Sequence, residues 1–144
     1  MTVEKDIIIV GAGHMGHAIA LGLKRSNKNM LITAIDPNRT YEKEMKNAGI
    51  SVMDTLPKSI TSNVIILAIP PQAFVQFAHS NSQFEHYTGM TISVMAGINL
   101  SKLVTHLKTS QVCRAIPNLP CATNEGMSVL MCTSRTTQKK QTLS

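Results

Sequence analysis

Apolar and polar positions along this chain switch repeatedly between two periods. Asp6-Ile7-Ile8-Ile9-Val10 is a continuous β-branched run, the pattern of a strand covered on both faces. It breaks at Gly11-Ala12-Gly13. Met15, Ala18, Ile19, Leu21, Gly22 and Leu23 then recur at helical spacing and predict a helix over residues 14 to about 25. Residues 30–35 read as a second strand, Asp36-Pro37-Asn38 as a turn, and residues 40–48 as a polar surface helix stopped by Gly49. A short strand over 50–53 and a weak helix over 56–61 follow, then an apolar strand over 64–69 closed by Pro70-Pro71. Proline is tolerated in a first helical turn, so residues 71–80 predict a helix with Phe74, Val75, Phe77 and Ala78 inward. A strand over 90–95 ends at Ala96-Gly97, and Asn99 or Ser101 caps a helix running to about 108. The last two strands are expected over 111–116 and 127–132.

Strands alternating with helices predict an α/β fold. It is expected to be Rossmann-like and doubly wound, with a mostly parallel sheet flanked by helices on both faces. Residues 1–132 read as one domain. Residues 133–144 have no apolar period and read as a basic, flexible tail. Among 144 residues, 43% are apolar and 15% charged, which supports a hydrophobic core and excludes wholesale disorder. No apolar run approaches the roughly 20 residues that cross a bilayer. The first residues lack a cationic region followed by a small-residue cleavage site, so a cytoplasmic chain is expected.

Net charge is +6, but Arg135, Lys139 and Lys140 in the acid-free tail supply half of it. With 3% aromatics and no Lys/Arg cluster, neither nucleic acid nor a membrane is an expected partner. Cys113, Cys121 and Cys132 are odd in number and lack C-x-x-C spacing, which supports neither a disulfide framework nor a zinc cluster. Cys113 and Cys132 read as small buried hydrophobes.

Gly11-Ala12-Gly13-His14-Met15-Gly16 is G-x-G-x-x-G between a strand and a helix, with an acid, Asp36, at the end of the next strand. In that setting the pattern predicts dinucleotide binding. The first glycine permits the tight turn, the second lets backbone approach a pyrophosphate, and the third lets the helix pack on the strand. Free N–H groups at the helix start then face the phosphates. Asp36 can accept hydrogen bonds from both ribose hydroxyls, favouring NAD(H). Arg39, beside Asn38 and Thr40, can instead clasp the 2′-phosphate of NADP(H), so the sequence points both ways. Ligands of open α/β sheets sit at the carboxyl ends of the strands, which adds Ala68, Ile69, Pro70, Pro71, Met95, Ala96 and Gly97 to the expected cofactor crevice. His14 and His17 share a helix face without a third ligand, and His79, His86 and His106 are isolated, so no metal is expected. No catalytic residue is assigned.

These motifs, with Val112-Cys113-Arg114-Ala115-Ile116-Pro117-Asn118-Leu119-Pro120 followed by Glu125-Gly126, resemble the N-terminal domain of the pyrroline-5-carboxylate reductase family. The resemblance implies hydride transfer from NADPH or NADH to the C=N carbon of a small cyclic imine, giving proline. It places Pro117 and Asn118 at the substrate edge. The chain departs from the family in having Pro70-Pro71 where Lys-Pro is usual, and Thr55 where an asparagine is frequent. The family's helical second domain, which dimerises and holds most of the substrate site, has no counterpart in these residues. An apolar patch and self-association into a homo-oligomer are therefore expected, and the chain alone is expected to be inactive. Two other readings stand beside this one. One is a stand-alone nucleotide-binding module with a regulatory or partner-binding role. The other is a different small oxidoreductase, β-hydroxyacid or deazaflavin-linked.

Overall fold

A computed structural model describes residues 6–109, 111–117, 127–132 and 142–143, with side chains over 6–109 and 111–115. Eight strands form one sheet in the order β3-β2-β1-β4-β5-β6-β7-β8. These are β1 (Asp6–Val10), β2 (Leu31–Ile35), β3 (Ser51–Met53), β4 (Val64–Leu67), β5 (Met90–Ser93), β6 (Val112–Pro117), β7 (Met127–Cys132) and β8 (Thr142–Leu143). The first six are parallel, in the 3-2-1-4-5-6 order of dinucleotide-binding folds. β7 and β8 are antiparallel. Four helices connect the parallel strands: α1 (His14–Ser26), α2 (Glu42–Asn47), α3 (Phe74–Ser80) and α4 (Leu100–Leu107).

The period-two alternation of β1 and β4 sorts their side chains onto two cores. Ile7, Ile9, Ile66 and Ile92 meet α1 and α2 through Ile19, Leu23 and Met45. Ile8, Val10, Ile65 and Leu67 meet the other layer through Phe74, Phe84, Leu103 and Leu107. Burial on both faces is why β1 and β4 read as unbroken apolar runs. Asn99 caps α4 by accepting a hydrogen bond from the Lys102 amide at 2.8 Å.

Four local expectations fail for identifiable reasons. Val75, expected inward, is exposed, because α3 buries the face that carries Phe74 and Ala78. Residues 56–61 form a loop, not a helix. Pro57 donates no amide hydrogen, and Leu56 and Ile60 are pinned into the second core. The fourth strand stops at Leu67, because the chain turns there to set the Ala68 carbonyl against Gly11. Cys113 is fully buried as expected, but it is disulfide-bonded and not a free thiol, and its register partner across the β6–β7 pair is Cys132. The predicted tail lies outside the described residues except for Thr142–Leu143, which pair with Met127 and Ser128. No described helix is long and apolar enough to cross a membrane.

At the amino ends of the strands, the buried Tyr87 hydroxyl donates to the Ser62 carbonyl at 2.8 Å. Burial, with Asp6 nearby, pushes this phenol well above its ordinary value. The phenol therefore stays neutral to higher pH in the folded chain than in the unfolded one. Its contribution to stability is complete below about pH 10, where unfolded tyrosine ionises, and is lost as pH rises further. Urea midpoints are expected to fall between pH 9 and 11 more steeply for the wild type than for Tyr87→Phe. Equal slopes would exclude this coupling.

Candidate functional site

Register brings the carboxyl ends of the strands into line. Val10 pairs with Ile35 on one side and Leu67 on the other, and Leu67 pairs with Ser93. Gly11, Asp36, Ala68 and Val94 each follow one of these residues along a single edge of the sheet.

The three glycines of the turn meet different constraints. Gly11 adopts φ +95, and a Cβ there would lie 2.7 Å from the Ala68 carbonyl oxygen. At Gly16 a Cβ would lie 1.8 Å from the Gly11 carbonyl oxygen, so α1 seats directly on the turn. Gly13 differs from both. Its backbone, at φ −75 and ψ −159, suits any residue, and a Cβ there would meet nothing within 4 Å. Gly13 is also the N-cap of α1, which has no side-chain cap and no acidic residue in its first turn. The helix start therefore retains its partial positive charge beside an open backbone surface, which suits a diphosphate.

Asp36 fastens the turn from the side. Its Oδ2 accepts the Ala12 amide at 2.8 Å, and its Oδ1 accepts the Asn38 amide at 2.7 Å. Asn38 Oδ1 in turn accepts the Thr40 amide at 3.1 Å. Arg39 points into a carboxylate cluster. Nε donates to Asp54 Oδ1 at 3.0 Å, Nη2 donates to the same oxygen, and Nη1 donates to Glu42 Oε2 at 2.7 Å. The Asp54 hydrogen bond, foremost, raises the guanidinium above its ordinary value, whereas Lys46, foremost, lowers Glu42.

A cavity of about 270 Å³ opens at this edge. Gly11, Asp36, Ile69 and Pro70, all singled out from sequence, line it, with Asp54, Thr55, Leu56, Ala73, Phe77 and Asn81. His14 is exposed beside Gly13, Met15 packs on the first core, and Pro71 opens a 3-10 turn, Pro71–Ala73. Met95 is buried in the second core, with its amide donating to Ser93 Oγ at 3.2 Å. Ala96 and Gly97 are exposed at the same sheet edge, and none of residues 95–97 lines this cavity. Side-chain placement at Pro117, and all of Asn118, fall outside the described residues.

Asp54, Leu56 and Phe77 are among the lining residues that sequence reasoning did not assign to the site. For Asp54 a signal existed: the pairing of Ile35 with Met53 sets the residue after β3 beside Asp36. His17, by contrast, is structural. It stacks on Tyr41 with ring centroids 4.0 Å apart and meets Glu44 Oε1 at 2.8 Å, joining α1 to α2.

Comparison with known proteins agrees with this geometry. A pyrroline-5-carboxylate reductase of Pasteurella multocida is 33% identical over 133 residues, covering 88% of this chain and 48% of the relative. Among solved structures, the pyrroline-5-carboxylate reductase of Coxiella burnetii superposes with a TM-score of 0.75 at 19% identity, covering 96% of this chain and 53% of that one. Prephenate dehydrogenase of A. aeolicus, solved with NAD+, gives 0.73 at 19% identity over 96% of this chain and 54% of its own. At that identity the structural likeness establishes the Rossmann-like fold. The chain spans about half the length of the curated relatives it matches. Residues 6–97 match a family model described as NADP oxidoreductase coenzyme F420-dependent, which covers the glycine turn, Asp36 and the cavity. By that match, and in keeping with its likeness to pyrroline-5-carboxylate reductases over about half their length, the chain belongs to the family described as NADP oxidoreductase coenzyme F420-dependent.

Proposed function

We propose that this chain is the nicotinamide-dinucleotide-holding half of a pyrroline-5-carboxylate reductase-like enzyme acting in the cytoplasm. The observation that carries the reading is Gly13. Neither its backbone angles nor its neighbours require glycine, and the space above it is open. A backbone that must approach a ligand supplies the missing reason.

The residues fit a dinucleotide from end to end. The amides at the start of α1 would receive the pyrophosphate, and Asp36 would receive a ribose hydroxyl at lone pairs its two backbone bonds leave over. Ile69, Pro70, Leu56 and Phe77 give an apolar wall of the kind an adenine ring packs on. When bound, the reduced nicotinamide supplies a hydride. Ala96 and Gly97, exposed and small at the adjacent strand end, leave room for that ring and for a planar imine against it. Pro117 ends β6 at the same edge, and with Asn118 it would border the substrate.

The reaction supported best is hydride addition to the C=N carbon of 1-pyrroline-5-carboxylate, giving proline. The curated relatives carry that activity in their names, over chains twice this length. A protonated iminium needs no strong acid from this half of the enzyme. Calorimetric titration with NADH and NADPH is the direct test, with saturable one-to-one binding expected for at least one. Proline-dependent reduction of NAD+ or NADP+ is expected only after the remaining half of a relative is supplied. Absence of saturable binding by either nucleotide would overturn the reading.

A further inference from the structure

We propose that the site selects the dinucleotide with a free 2′-hydroxyl, NAD(H), and that Asp54 and Glu42 enforce the choice by holding Arg39 in ion pairs. The inference rests on the dinucleotide reading above and concerns which dinucleotide is taken.

Three observations carry it. First, the cavity between the ends of β2, β3 and β4 presents two carboxylates, Asp36 and Asp54, and among the described residues no lysine, arginine or histidine lines it. A 2′-phosphate adds about −1.5 to −2 of charge at neutral pH and would enter a field of its own sign. Second, Arg39, the cation that the sequence sets beside the turn, is engaged by carboxylates. All three guanidinium nitrogens of Arg39 donate to carboxylates, two to Asp54 and one to Glu42. Three of its five N–H donors are engaged, and a phosphate met by the other two would lie beside Asp54 and Glu42 and feel their repulsion. Third, Lys46 is drawn off as well, its Nζ lying 2.8 Å from Glu42 Oε2. A neutral ribose diol meets none of these obstacles. Asp36 can accept its hydroxyl, and Arg39 can stay where it is.

Glu42 and Asp54 come from different elements, the first turn of α2 and the segment after β3. Arg39 therefore also fixes the position of Asp54 on the rim. The selectivity is built from the pair, and loss of Asp54 should change it by freeing the guanidinium and removing one repelling charge together.

Calorimetric titration of NADH and NADPH into wild type, Asp54→Asn, Glu42→Gln and Asp54→Asn/Arg39→Gln tests this. Circular dichroism accompanies each protein, although the Asp54 side chain is 64% exposed and its replacement leaves the core alone. Wild type is expected to bind NADH at least about tenfold more tightly than NADPH, the order of one charge–charge contact at a partly exposed site. Asp54→Asn is expected to narrow the ratio by about tenfold, and Glu42→Gln by less, since it frees one guanidinium nitrogen only. Adding Arg39→Gln should cancel the gain in NADPH affinity. Equal or tighter NADPH binding by wild type, or a ratio unmoved in Asp54→Asn, would overturn the inference and leave the dinucleotide reading intact. No binding of either nucleotide would instead remove the reading on which it rests.

Discussion

Gly13→Val is expected to leave the folded chain standing and to weaken binding of the preferred nicotinamide dinucleotide by a hundredfold or more. The backbone there is extended and open to any residue, and the added carbons enter empty space. Replacing a glycine in such a conformation also trims the freedom of the unfolded chain, worth about 0.4–1 kcal/mol in favour of folding. The same carbons would stand where a diphosphate must approach the start of α1. Loss of two charge-assisted amide contacts at about 1.5–3 kcal/mol each corresponds to at least a hundredfold in affinity. Urea unfolding and nucleotide titration on one preparation separate the two effects. Unchanged affinity with an intact fold would show that the nucleotide lies elsewhere.

Gly16→Ala should do the reverse, destabilising the chain by about 3 kcal/mol or more, at the severe end of point-mutation effects. The obstacle is the Gly11 carbonyl oxygen, 1.8 Å from the added Cβ, and no rotamer change can move a backbone atom. Either α1 lifts off the sheet or the turn opens. Both disturb Ile19, Ala20 and Leu23, which the first core buries. A shift in the urea midpoint of less than about 0.3 M would contradict this, given slopes of about 1–3 kcal/mol/M for small proteins. The two glycines thus divide what the motif describes as one feature: Gly16 is required by the fold, and Gly13 is left to the proposed ligand.

That division shows what the sequence can and cannot disclose. Strands β1 and β4 were legible because burial on both faces leaves an unbroken apolar run, and α1 because a single face repeats through Ile19 and Leu23. Asp36 was legible through its position at the end of β2. Arg39 was visible as a residue but not as a partner, since its destination depends on Asp54, fifteen positions away and brought near only by parallel pairing of β2 with β3. The loop over 56–61 misled because its two apolar residues have helical spacing, yet each is an anchor into the second core on either side of a proline-containing turn. Phe77 resembled ordinary core on the helix pattern. It is half-buried and also lines the cavity, a double duty that periodicity does not separate.

The placement of β1 has a consequence for how the chain is made. Val10 is flanked by Ile35 on one side and Leu67 on the other, so β1 is synthesised before both of the strands that flank it. A nascent chain exposes that isoleucine run until nearly sixty more residues have followed, and no hairpin can shield it meanwhile, because every neighbour of β1 is parallel. At translation rates of about 5–20 residues per second, the interval lasts roughly three to twelve seconds. During that time an unpaired edge of β1 is open to pairing with another chain.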